Sequence, residues 1–527
     1  MSITRRELIA GTAVGAGWLA SSLPLAAIAQ AQSGTGGALN IALFPEPTSI
    51  MVGWGQTGPS QLVNGNIYDG LLRYDEKLNP MPGLASAWTI SKDSLVYTFT
   101  LKRGVTWHDG KPFDAQDVIF SIDKLNRAQN PRVRVALQSV ESIKALDAHT
   151  VEIRLKEVFA PFIGLFDVST NPIAPRHLLE NTDLTGKPPP SAIIGTGPYK
   201  FKEWVRGSYI HLVGNDKYHE PNVPKIDNVY FQVIPDAASR AAAFESGKID
   251  VLPGGTIEYF DVARLAKLPG AAVTSKGWEK FSPLAWMWIN HRNPLFQDLR
   301  MRQAIELAID RDALSKVVWQ GFAPAATGPF NRQTAFYSAA AAQPRRDKDK
   351  ARKLLAESGY KGQPVRLLGL PFGEAWNRTA ELIRQNLLEA GLKVELVATD
   401  LAGAVTRASN WDFDLALTYM YQYGDPALGV SRNYVSSEIK KGSAFNNVGG
   451  YQNAKVDAMF YRAAGTTDPK KRLEAYSEAQ KTLVDDVAAV WLLDLNFPTV
   501  YRTKIANLVN SGIGLNDSLG RASFTGR

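Results

Sequence analysis

The sequence predicts an α/β protein of two lobes, and three observations carry that expectation. Its 527 residues exceed the ~250–300 at which single cores stop growing, so the chain divides. Short strands and helices alternate in both halves, the order that builds sheets covered by helices. Two continuous apolar stretches, 286–290 and 488–493, stand where the halves meet. If they run side by side, the chain leaves the first lobe on one and returns on the other, forming a two-strand hinge beside a cleft.

Each element follows from local pattern. Residues 39–43 form a first strand, stopped by Pro45 and Pro47. Leu95, Tyr97, Phe99 and Leu101 alternate with polar neighbours, the period of a half-buried strand. Asp109-Gly110 makes a turn, and Asp114 with Asp117 three residues on caps a helix through Val118, Ile119 and Ile122. Residues 150–155 make another strand, and the proline-rich stretch 159–190 marks a boundary. Residues 229–234, 237–245 and 249–252 read as strand, helix and strand, a unit that implies a parallel sheet. Helices follow at 299–320, 348–357, 380–390, 455–464 and 469–483, and strands at 365–370, 393–397 and 414–419.

The first residues read as an export signal, 1–32. Arg5 and Arg6 precede an apolar stretch from Leu8 to Ala20, and Ala27-Ile28-Ala29 offers a cleavage site. The paired arginines resemble a twin-arginine signal. The stretch is below the ~20 residues needed to span a bilayer, so the mature chain is expected to be soluble and periplasmic. The absence of cysteine removes a disulfide scaffold, a thiolate nucleophile and a lipid anchor on cysteine. The net charge of +8 falls to +7 once Arg5, Arg6 and Glu7 are removed (8 − 2 + 1). Basic residues are scattered, and the run from Arg345 to Lys350 is interleaved with acids, so a helix start rather than nucleic-acid binding is expected.

Several ordered segments resemble a known family. They are Ile67-Tyr68-Asp69-Gly70-Leu71-Leu72, Pro82-Gly83-Leu84-Ala85-Ser86-Ala87-Trp88, and Tyr97 through Trp107-His108-Asp109-Gly110 to Phe113. Gly195-Thr196-Gly197-Pro198-Tyr199, Arg300-Met301-Arg302-Gln303-Ala304-Ile305 and Gly450-Tyr451-Gln452-Asn453-Ala454-Lys455-Val456-Asp457 follow in the same order. The chain resembles the bacterial extracellular solute-binding proteins of family 5, the dipeptide- and oligopeptide-binding components of ABC importers. The resemblance implies a type II, cluster C-like periplasmic-binding-protein fold. It implies a base lobe from 38–73, 195–289 and 489–527, an inserted extra domain at 74–194, and a second lobe at 290–488. It also implies a monomer that closes on a peptide-like solute and docks on an inner-membrane permease.

The resemblance nominates residues as well. Peptide binders of the family hold the ligand's amino group with an aspartate in a Gly-Asp-Pro-like loop, and Tyr423-Gly424-Asp425-Pro426 resembles it. Asp425 is therefore the candidate ammonium partner, a helix or turn cap being the other reading of an aspartate before proline. The family's carboxylate-binding arginine has no counterpart in the loop 371–377, although Trp376 and Asn377 lie there. Tyr419, Tyr421 and Tyr423 alternate and so share one face. With Trp278, Trp286 and Trp376, the tyrosines Tyr421 and Tyr423 are candidates to line a ligand site or to belong to the core. The six histidines show no metal spacing and no cofactor is expected. The rival reading is a secreted hydrolase, for which Gly-x-Ser-x-Gly, His-Glu-x-x-His and phosphate-loop motifs are missing. A binder of a nickel chelate, haem, an opine or an oligosaccharide stays open.

Overall fold

The computed structural model describes residues 36–51, 54, 57–184 and 190–525. The expected export signal, 1–32, lies outside them. Among the described residues no helix is long and apolar enough to cross a membrane.

The first lobe is organised by a seven-stranded mixed sheet. Ala38–Leu43 lies inside it, parallel to Asn228–Val233 on one side and to Val251–Leu252 on the other. Leu39, Ile41, Val229, Phe231 and Val251 are wholly buried; in Ala38–Leu43 and Asn228–Val233 they alternate with partly exposed neighbours, the period of a pleated strand. The strand–helix–strand unit is parallel as expected, but Ala38–Leu43 inserts between its two strands. Its helix, Ala237–Glu245, starts where the Asp236 side chain accepts the Ser239 N–H at 2.7 Å.

A separate four-stranded antiparallel sheet is built by Ala85–Ile90, Val96–Leu101, Val140–Asp147 and Thr150–Leu155. It has its own core, in which Phe99, Phe162 and Phe166 meet edge to face. Asp114 and Asp117 form the expected capping box at the helix Ala115–Ile119.

The second lobe carries a five-stranded sheet. In spatial order its strands are Val394–Val397, Val365–Leu368, Leu415–Met420, Leu284–Ile289 and Ala489–Asp494. The two apolar crossover strands do pair, antiparallel, from Leu284 opposite Asp494 to Trp288 opposite Ala489. Both belong to this sheet, however, so the borders expected at 289 and 489 cut through it. Leu284–Ile289 is buried on every residue; it needs a hydrogen-bonded neighbour on each edge and finds them in Leu415–Met420 and Ala489–Asp494. The chain therefore enters this pair of strands at Leu284 and leaves it after Asp494, both within the five-stranded sheet.

Two expected helices differ in extent. The run expected at 299–320 stops at Ala308, because Ile309 is extended and the Asp310 side chain caps a new turn through the Ala313 N–H at 2.8 Å. An aspartate inside an apolar run competes for backbone donors in this way. The helix expected at 380–390 begins earlier, at Glu374, after Gly373 turns at φ 97°. Pro469–Asp485 covers the sheet with Ala475, Tyr476, Ala479 and Leu483, against Trp286 and Trp491 beneath. Each such large side chain contributes roughly 1.5–3 kcal/mol on burial.

Candidate binding cleft

A cavity of about 160 Å³ opens where the first lobe faces the second. Its first-lobe walls come from loops at strand ends: residues 42–45 and 253–256, together with 276–281 and 509–516. Phe372, Tyr419 and Tyr421 close the other side, and Phe497 stands on the connection between Asp494 and Thr499. Strand ends are where a sheet leaves its backbone groups unpaired and its loops free to vary, so a site at this junction follows from the architecture.

The aromatic groups form a continuous wall. Tyr419 and Tyr421 are two residues apart, which places them on one face, with ring centroids 6.0 Å apart. Tyr423 continues the row at 6.0 Å from Tyr421, although its own backbone has turned to φ 54°. Phe281 meets Tyr421 at 5.2 Å, and Trp278 meets Phe497 edge to face at 5.0 Å. Pairs of this kind contribute roughly 0.5–1.5 kcal/mol beyond area burial. The wall is thus held in place by rings from both lobes. Burial pushes the Tyr419 phenol up to about 12, so it stays protonated and can donate a hydrogen bond at any physiological pH.

Backbone approach shapes the floor. A Cβ on Gly277 would lie 2.5 Å from the Gly514 Cα, and Gly277 holds φ 91°. A Cβ on Gly254 would lie 2.1 Å from the Phe497 carbonyl oxygen. Only glycine fits either place.

The polar lining is sparse: Gln61, Thr256, Thr499, Asn516 and, at the mouth, Lys276. Lys276 reaches Glu76 at 2.9 Å, with both partners exposed. Deeper in the same segment, Lys280 is buried, ion-paired with Asp167 and donating to the Gly164 carbonyl at 2.7 Å. That pair fastens the 276–281 loop to the segment that follows the four-stranded sheet.

The candidate residues separate into three groups. Trp278 and Tyr421 line the cavity, and Tyr423 packs beside it on Phe281 and Tyr421. Trp376 is a backing residue, buried and stacked on Tyr419 with centroids 5.6 Å apart. Trp286, Asn377 and Asp425 are placed elsewhere. Trp286 is fully buried in the core beneath Pro469–Asp485. Asn377 is exposed and hydrogen-bonds Glu374 at 3.4 Å. Asp425 is the N-cap of the short helix Pro426–Gly429, accepting the Ala427 N–H at 3.0 Å. Its two oxygens also accept from Arg472 at 2.9 and 2.8 Å. Arg378 and Arg407 pair with Glu374 and Asp412.

Sequence reasoning missed Phe281, Phe497 and the loop residues Gly254 and Thr256. Their common signal is position at a strand end, which becomes visible only once the strands are assigned to sheets. His108 bridges the Gly195 N–H and the Gly197 carbonyl, and its burial pulls its pKa down to about 4; it is a neutral structural link. Among the described residues no three His, Cys, Asp or Glu side chains come together as metal ligands.

Comparison with known proteins bears directly on this geometry. The model of the bacterial extracellular solute-binding proteins, family 5 (middle), matches residues 79–442. The chain belongs to this family. A dipeptide-binding protein of Escherichia coli (strain K12) is 27% identical over 444 residues, covering 78% of this chain and 80% of the relative. The periplasmic binding protein DppA from Helicobacter pylori, solved with the peptide STSA, superposes with a TM-score of 0.81 at 25% identity, covering 93% of this chain and 98% of that one. NikZ from Campylobacter jejuni, solved with Ni(L-His), superposes with a TM-score of 0.79 at 25% identity, covering 92% and 99%. Family members thus share this two-lobed architecture and bind solutes, but of different chemistry.

Proposed function

We propose that the chain is the exported receptor of an ABC importer, which traps one small solute between its lobes and presents the closed form to a permease. The observation that carries this reading is the aromatic cavity assembled from both lobes beside a pair of crossover strands. Rings from one lobe complete a wall begun by the other, so a solute seated there gains contacts from both only when the lobes are together. Binding then favours the closed arrangement by its differential affinity for it. No nucleophile–base pair is needed for this task, and none lines the cavity among the described residues.

Relatives named for peptides and relatives named for other solutes both support the receptor reading, and the dipeptide- and oligopeptide-binding relatives favour a peptide-like solute. The twin-arginine-like start supports export to the periplasm in a folded state. We place the inserted domain at about 74–194, the stretch that contains the four-stranded sheet, and treat the receptor as a monomer.

Purified mature protein, denatured and examined by mass spectrometry, should release a small solute. Adding that solute back to emptied protein should reduce the radius of gyration in X-ray scattering as the lobes close. Steady turnover of peptides or esters would overturn the receptor reading. Export should fail when Arg5 and Arg6 are both replaced by lysine; unchanged export would assign the other secretory route.

A further inference from the structure

We infer that the cleft recognises its solute through a flat apolar group and uncharged hydrogen bonds, not through an α-ammonium. The inference rests on the receptor reading above and names its substrate class.

The first observation is the charge of the lining. Gln61, Thr256, Thr499 and Asn516 are uncharged, and Lys276 is cationic. No carboxylate lines the cavity among the described residues.

The second observation is the state of the acid that sequence resemblance nominates. Asp425 is engaged on both oxygens by Arg472 and on one by the Ala427 N–H. Its charge is already compensated inside the second lobe. An ammonium would have to displace a guanidinium whose Nε also donates to the Ala463 carbonyl at 2.9 Å, so the arginine is anchored independently of Asp425.

Four of the acids near the mouth are engaged too, and for a fifth, Glu258, burial raises the carboxyl while a backbone hydrogen bond from Glu374 opposes the shift. Glu76 pairs with Lys276, Glu374 pairs with Arg378, and Glu279 accepts the Gly277 N–H. Glu46 accepts from the Trp204 indole and the Gly207 N–H. A cation entering an apolar site without a counter-charge loses its hydration and gains little in return. Aromatic faces attract cations, but they do not replace a carboxylate against that loss.

The third observation says what the cleft offers instead. Trp278, Phe281, Phe372, Tyr419, Tyr421 and Phe497 present ring faces and edges around one space. A planar group can lie among them in the offset or edge-to-face arrangements that rings prefer. The few amide and hydroxyl groups then fix its orientation, the usual division of labour in a small-molecule site. The sparse polar lining distinguishes this from a sugar site, where every hydroxyl needs a partner.

Calorimetric titration of emptied, full mature protein at pH 7 tests this with two probes that differ in one group: N-acetylphenylalanine amide and phenylalanine amide. The acetylated amide should bind at least tenfold more tightly. Asp425→Asn should bind it within twofold of the parent, since the carboxylate takes no part. Equal or tighter binding of phenylalanine amide would overturn the inference, as would tighter binding of maltose or no measurable binding of the acetylated amide. A tenfold loss in Asp425→Asn protein of native circular dichroism would do the same. Failure of the receptor reading looks different: the purified protein releases no solute and no pooled solute mixture binds. The comparison of the two amides uses the unaltered chain, so it stands even if the variant folds poorly.

Discussion

Replacing Arg472 by methionine isolates what the Asp425 pair does. Arg472 is 9% exposed and Asp425 15%, so solvent screens the pair little. The guanidinium also donates to the Ala463 carbonyl at 2.9 Å and lies 4.6 Å over the Phe336 ring. Methionine keeps most of the apolar length but leaves Asp425 with only the Ala427 N–H. Removing one partner of a buried pair costs about 3–5 kcal/mol, largely from the charge left behind. Burial already pushes the Asp425 carboxyl above its ordinary range while Arg472 opposes that shift. Without Arg472 the shift grows, so Asp425 takes up a proton more readily in the folded variant than in the unfolded chain. A folded-state value raised above the unfolded one gives stability that is present at low pH and lost as pH rises. The penalty of Arg472→Met should therefore be smaller at pH 4.5 than at pH 7. Adding Asp425→Asn removes the orphaned charge and should restore at least about 2 kcal/mol of the loss. Guanidinium unfolding followed by tryptophan fluorescence, at both pH values and for the full double-mutant cycle, measures this. A loss below about 1 kcal/mol at pH 7 with no recovery in the double variant would refute the assignment of Asp425 to an internal pair.

Other outcomes follow from the same geometry. Tyr421→Ala should weaken solute binding about 10- to 100-fold, since a buried aromatic contact contributes roughly 1.5–3 kcal/mol; titration with the co-purified solute checks it, and unchanged affinity removes Tyr421 from the site. Glu306 is buried with no partner for its Oε1, and its carboxyl is pushed up to about 7 by burial with Arg311 opposing. That raised value contributes stability below the unfolded carboxyl's ~4.3 and loses it as pH passes about 7. Glu306→Gln should accordingly gain up to about 3 kcal/mol at pH 8 relative to pH 4, read from thermal melts at both pH values. Gly277→Ala should lower stability by about 1–3 kcal/mol, because its Cβ meets the Gly514 backbone; it should also raise the solute's Kd, while Gly207→Ala, with open space around its Cβ, should leave the Kd unchanged.

Much of the fold was legible because it rests on short-range chemistry. The capping box at Asp114 and Asp117 involves residues three apart, and the alternation of Tyr97, Phe99 and Leu101 needs only the pleat of one strand. The same locality explains the misjudged helix at 299–320: periodicity continued past Asp310, and only the bond from the Ala313 N–H revealed that the aspartate had begun a new turn. The site was less legible. Tyr421 and Trp278 line the cavity, yet Trp286, equally aromatic and inside a crossover strand, is core. One residue of register decides which face a strand side chain takes, and which face is covered depends on a helix some 180 residues further along the chain.

The division between the two levels is clearest at Asp425. Its place before a proline and its cap on the Ala427 N–H follow from neighbours in the chain. Its charge partner, Arg472, is 47 residues away, and nothing local requires that pairing. Alternation of strands and helices, their caps and their buried faces are written in adjacent residues, because backbone hydrogen bonds and side-chain periodicity act over a few positions. Which acids are neutralised, which rings meet across the cleft and which lobe owns the crossover strands were decided only when distant segments came together, because desolvation and charge compensation depend on everything that surrounds a group.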